Sequence, residues 1–217
     1  MTRTRRLDLK IVASLVAAFG LWAGPAQAQE AQLENVRGRI AQIDASAIVV
    51  RLKSGATRRI QTPAEMTVIA LSKGAFTTVT FGSYVGAAAV RLDAFSPIVR
   101  DSLSWLHQGF ELRIIDDQLR GIAIGHKKWD LTGDSIIAHG WVDDMEGRVL
   151  SIKYGPTEEE ETDVEVGRDV PVLKMSVGTH DLLTPGSHVL VGVDKDANGR
   201  LTAGFVVVGK DGIPVPF

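Results

Sequence analysis

The chain reads as all-β: two tandem small OB-like β-barrel domains, preceded by an N-terminal signal helix and interrupted by one short helix near residues 96–107. Three observations carry this expectation. The first 28 residues have the layout of an export signal, the remainder repeats itself once, and its apolar runs are short, β-branched and bounded by turn residues.

The leader opens with Arg3, Arg5, Arg6 and Lys10, continues as the apolar run Ile11 to Ala23, breaks at Gly24-Pro25 and ends in Ala26-Gln27-Ala28. A bilayer-spanning helix needs ~20 apolar residues, so the run is short for a membrane anchor. Cleavage is expected after Ala28 and the mature chain is expected in the periplasm. Thr4-Arg5-Arg6-Leu7-Asp8-Leu9-Lys10 comes close to a twin-arginine signal, with Asp8 where that motif prefers an apolar residue, so both the general and the twin-arginine export routes stay open.

Removing residues 1–28 takes the chain from 24 basic and 26 acidic side chains to 20 and 25, and the formal charge from −2 to −5. That balance argues against nucleic-acid binding, which needs a basic face, and against anionic lipid. With no cysteine, thiolate metal sites and thiol nucleophiles are excluded, and stability must come from burial of apolar surface.

Setting Gly38 on Gly140 aligns Ile40 with Val142, Ile48 with Leu150, Val50 with Ile152 and Leu52 with Tyr154. After a two-residue insertion in the second copy, Ile60 meets Val164, Val68 meets Val172 and Leu71 meets Met175. Gly74, Gly82 and Ser83 then fall on Gly178, Gly186 and Ser187. The copies define a first β domain over 29–118, a Gly/His/Trp linker over 119–134 and a second β domain over 135–217. Strands are expected at Ile48 to Leu52 and Val149 to Tyr154, with a turn at Asp143 to Gly147. Ser96 as cap and Pro97 at the first helical position, followed by Ile98, Val99, Leu103 and Leu106, predict the short helix. Gln108 to Ile115 then closes copy one, as the counterpart of Ala203 to Val208. Asp194 to Arg200 predicts a hairpin with Asn198-Gly199 at its tip. About five short strands per copy protect their edges best by curling into a barrel; a single sandwich shared by both copies is the alternative.

No catalytic constellation appears: there is no G-x-S-x-G elbow, phosphate-cradling loop or H-E-x-x-H. Asp194 to Leu201 has the oxygen spacing of half a calcium loop, but Phe205 stands where its bidentate acid belongs, so it reads as a turn. The Glu158 to Glu161 run reads as a solvated acidic segment. The chemistry concentrates in the linker, Arg120 to Leu131. There His126, Trp129 and Asp130 lie close together, and His139 and Trp141 flank Gly140 just beyond. These five form the expected ligand-binding surface. His126 and Asp130 are also the candidate metal ligands, an imidazole and a carboxylate suited to a divalent transition metal.

These residues carry a resemblance. Arg120, Gly121, Gly125, His126, Trp129, Asp130 and Leu131, together with Asp196 to Gly212 followed by Pro214 and Pro216, resemble a family of exported bacterial proteins of unknown function with tandem OB-like β domains and a Gly-rich G-H-x-x-W-D linker. The pattern departs at Ala123, where the family has glycine, at Ile124, where a Glu is frequent, and at Lys127-Lys128, where Arg-Pro is usual. Some relatives carry a metal-transport permease label, which one short, cleavable apolar run cannot satisfy. The expectation is an exported, soluble, non-enzymatic binding or accessory protein. Its partner would be a periplasmic protein or small ligand, with no membrane span after signal cleavage. The alternative is a periplasmic transition-metal-binding or carrier protein accessory to a metal transport system.

Overall fold

A computed structural model describes residues 34–91, 106–129 and 133–215. The expected signal segment, most of the expected helix at 96–107 and Asp130 lie outside the described residues; Leu106 and His107, the last two residues of that expected helix, open a strand instead.

The described chain is all-β. The first copy supplies β1 (Glu34–Ile43), β2 (Ala47–Arg51), β3 (Thr57–Gln61), β4 (Thr67–Lys73), β5 (Tyr84–Arg91) and β6 (Leu106–Ile115). After β7 (Gly125–Lys128) in the linker, the second copy supplies β8 (Ser135–Glu146), β9 (Val149–Lys153), β10 (Glu161–Glu165), β11 (Val172–Val177), β12 (His188–Lys195) and β13 (Leu201–Gly209). Among the described residues no helix is long and apolar enough to cross a membrane.

The strands do not close copy by copy. β1, β2 and β3 join β12 and β13 of the other copy, through β1–β12 and a parallel β3–β13 pairing, into ring 1. β8, β9 and β10 join β5 and β6, through β5–β8 and a parallel β6–β10 pairing, into ring 2. Each ring thus takes three strands from one copy and two from the other. The boundaries expected at 29–118 and 135–217 therefore do not delimit closed units. The physical reason lies in β4 and β11. They pair antiparallel with each other, so each chain half is carried across to the other ring before its last hairpin forms.

The register shows the duplication in detail. Leu71 pairs with Met175, its own counterpart, so an approximate two-fold axis passes through the β4–β11 ladder. Register shifts fall at Ile40/Gln42 and at Val142/Asp144, and again at Ala88/Ala89 and Gly192/Val193, at matching positions of the two copies. Gly38 and Gly140 are explained by the bend that follows. A Cβ on either would stand 2.1 Å from the Arg51 carbonyl oxygen or 2.3 Å from that of Lys153.

Two local expectations change. β8 runs on through Glu146, so the turn is the tighter Gly147-Arg148 rather than Asp143 to Gly147. The closing strands match one residue away from the expected alignment: Ala88 pairs with Glu111 where Gly192 pairs with Phe205, which sets Glu111 on Phe205 and Leu112 on Val206. Because side chains alternate across a strand, that slip exchanges the two faces. The hairpin tip is as expected: Asp196 Oδ1 accepts hydrogen bonds from the backbone N–H of Asn198 (2.9 Å) and Arg200 (2.8 Å), and Gly199 takes φ +80°.

Three apolar clusters result. Ile40, Ile48, Val50, Ile60, Val191 and Val206 fill ring 1, and Val85, Leu112, Val142, Leu150, Ile152 and Val164 fill ring 2. The third, with Ile69, Leu71, Tyr84, Met175, Leu190 and Val207, lies on the outer faces between the rings.

Candidate functional site

The linker is fastened over this third cluster. Arg120 donates to the Gly82 carbonyl (3.3 Å) and pairs with Asp117, while the Tyr84 hydroxyl donates to the Ile122 carbonyl (2.8 Å). Ala123 adopts φ +52°, between Gly121 at φ +86° and Gly125 at φ +120°. The backbone there is left-handed, a conformation that favours glycine and strains Ala123. β7 then pairs with the free edge of β8, and the backbone N–H of Trp129 donates to the Ser135 carbonyl (2.8 Å).

Between the two rings and this strap is a cavity of about 530 Å³, within the range of small-molecule pockets. Its walls differ. On the ring 1 side stand Leu190, Phe205 and Val207, with Ile69 of β4 at the base; on the ring 2 side stand Arg113 and His139, and Lys127 and Trp129 come from the strap.

The ring 2 wall holds the chemistry. Glu111 and Arg113 are both buried (2 % and 7 % exposed) and form an ion pair. Burial raises the Glu111 carboxyl above its usual range, and Arg113 opposes that shift. The guanidinium carbons of Arg37 and Arg113 lie 5.4 and 6.0 Å from the centre of the Trp129 ring, at cation–π range. His139 is 6 % exposed, and the Nε2–Cδ2 edge of its ring lies over Gly86, where any Cβ would stand 2.7 Å away. Its Nδ1 is buried without a hydrogen-bond partner. Burial, and then the charges of Arg113 and Lys127, lower its pKa from 6.5 to about 3, so the imidazole is neutral at physiological pH.

Of the five expected binding residues, Trp129 and His139 meet in this cavity. Trp141 stands beside it, edge-on to Tyr84 (5.1 Å between ring centres), in the cluster beneath. His126 turns the other way. Its register partner on β8 is Ala138, which faces the ring 2 interior, so alternation puts His126 and His139 on opposite faces. The His126 ring instead stacks at 5.9 Å on Tyr154 and meets His107 edge-on at 6.2 Å; His107 Nδ1 is 3.1 Å from the Thr162 hydroxyl. The expected convergence of His126 with His139 does not occur. Asp130 lies outside the described residues, and among the described residues no three His, Asp or Glu side chains are grouped to hold a metal ion.

Sequence reasoning missed Arg113, Glu111, Lys127 and Phe205. The signal for the first two was present: with the closing strands matched one residue differently, Glu111 and Arg113 fall on Phe205 and Val207, charged residues at apolar positions of a duplicated unit. No protein-family model, no curated protein and no solved structure matches this chain.

Proposed function

We propose that this protein is an exported, non-enzymatic binding module whose two rings are OB-like barrels with exchanged strands, and whose ligand is a small molecule held between them. One observation carries the reading: His139, whose Nδ1 is buried with no hydrogen-bond partner, lines a cavity of mixed apolar and polar side chains roofed by Trp129. A buried polar atom left unsatisfied costs about 1–3 kcal/mol, and a bound ligand that hydrogen-bonds to it recovers that cost. The charged residues at the cavity form an ion pair and cation–π contacts rather than a nucleophile–base pair, which favours binding over catalysis.

The test is titration with a neutral, environment-sensitive naphthylamine dye, followed by dye emission and tryptophan quenching. Saturable binding is expected in the parent protein. Val207→Trp, which fills the cavity from its ring 1 wall, should abolish it with the circular-dichroism spectrum unchanged, while Phe81→Ser, on a 76 % exposed loop residue, should leave it intact. Equal dye binding by the parent and Val207→Trp would overturn the assignment of the site.

A further inference from the structure

A second cleft, of about 410 Å³, shares no lining residue with the cavity between the rings. Val170, Leu173 and Ile213 give it apolar surface, and three cations line it: Lys73 at the end of β4, Arg148 in the β8–β9 turn and Arg168 in the turn after β10. No carboxylate lines it, and among the described residues none of the three cations is in an ion pair. Arg148 is held in place by neutral groups. Its Nε donates to the Val166 carbonyl and its Nη2 to that of Gly167 (2.9 Å), and its guanidinium carbon lies 4.0 Å from the centre of the Phe76 ring. A guanidinium carries five N–H donors, so three are left without an acceptor among the described residues.

The duplication supplies a control for this cleft. The Val166 N–H donates to the Arg148 carbonyl as the Thr62 N–H does to that of Ser46, and the Gly74 N–H donates to the Val172 carbonyl as the Gly178 N–H does to that of Val68. The backbone is therefore built twice. At the equivalent positions Arg148, Arg168 and Lys73 are replaced by Ser46, Ala64 and Val177, and Phe76 by His180. The same turns form there with none of the three cations, so the local fold does not require them.

Three like charges around one small cleft repel one another, and an anion between them reverses the sign of that interaction. One arginine suffices to match a carboxylate. A tetrahedral dianion with three terminal oxygens can take two guanidinium groups and an ammonium together. We infer that this cleft binds a phosphate group, either free or as the head of a small organic ester whose body lies on Val170, Leu173 and Ile213. It is a site additional to the one proposed between the rings and does not rest on it.

Calorimetric titration of the protein at pH 7.5 and low ionic strength tests this with phenyl phosphate, inorganic phosphate and benzoate. Phenyl phosphate should saturate one site with a Kd below about 1 mM, and benzoate, the same ring with a single charge, should bind at least about tenfold more weakly. Phenyl phosphate binding more tightly than inorganic phosphate assigns the site to an organic ester; otherwise it assigns it to free phosphate. Lys73→Glu and Arg168→Glu, both at exposed positions, should each weaken phosphate binding at least about fivefold, whereas Lys53→Glu, exposed and outside the cleft, should change it by less than about twofold. The assignment is overturned if neither phosphate binds with a Kd below about 1 mM, if benzoate binds as tightly as phenyl phosphate, or if Lys53→Glu weakens binding as much as the two cleft variants.

Discussion

His139 is the residue in which sequence, packing and site chemistry meet, and its ionisation makes that visible in stability. The unfolded chain titrates this imidazole near 6.5, the folded chain at about 3. Above pH 6.5 neither state holds the proton and the contribution is complete. As the pH falls from about 6.5 towards 3, only the unfolded chain takes up the proton, so stability is lost at up to ~1.4 kcal/mol per pH unit. Glu111 acts in the opposite sense: its raised carboxyl favours the folded state at acid pH and that contribution is lost as pH rises. Comparison with His139→Gln isolates the imidazole. Urea unfolding at pH 7.5 and pH 5.0 should show the parent losing about 2 kcal/mol more than the variant across that interval. Parallel losses would mean that His139 is solvated in the folded protein. At this scale the sequence was half legible. Trp129 and His139 stand out because aromatic and imidazole side chains are conspicuous near a glycine pair. Arg113 does not, since a charged residue on an alternating strand looks solvent-facing until the neighbouring ring is known to cover it.

At the scale of the element, paired positions mattered more than composition. Gly38 on Gly140 anchored the repeat in the sequence, and the reason is geometric: each lets its long first strand pass within contact of the carbonyl ending the second. Gly38→Ala and Gly140→Ala should each cost about 2 kcal/mol, because backbone rather than a flexible side chain must yield. Gly133→Ala, whose Cβ meets nothing within 4 Å among the described residues, should stay within about 0.5 kcal/mol. Thermal unfolding of the three variants checks this, and an equal loss in all three would contradict the packing argument. In the closing strands Gly109 and Phe110 resemble Gly204 and Phe205 in type, and that likeness masks the bulge that sets the register one residue away. β7 was unreadable as a strand. Its four residues, Gly-His-Lys-Lys, carry no apolar side chain, and it pairs only because β8 leaves an edge free where β9 has not yet begun.

The exchange of strands between copies governs the whole molecule, and no local pattern in the sequence encodes it. Alternation, turns and repeat length are the same whether a hairpin closes its own ring or its neighbour's. What distinguishes them is β4 and β11, whose mutual pairing was not expected and which lead each half across the two-fold axis. The consequence is energetic. An isolated first half would hold β1, β2 and β3 with no β12 or β13 beside them, and β5 and β6 with no β8 or β10, so each piece would expose both edges and half an interior. Ring closure also joins strands far apart in sequence, which slows folding through the loop-closure entropy of non-local contacts. Residues 29–118 expressed alone should therefore lack a cooperative thermal transition, as should 119–217, whereas mixing the two should restore β-sheet circular dichroism, a single transition and dye binding in a one-to-one complex. Two tandem barrels that each closed on their own copy would behave in the opposite way, each fragment melting cooperatively and ignoring the other. The site would respond with them: its lining comes from β1, β4 and β6 of the first fragment and from β7, β8, β11, β12 and β13 of the second. Neither fragment carries a complete cavity, so recovery of dye binding on mixing would report the exchange itself.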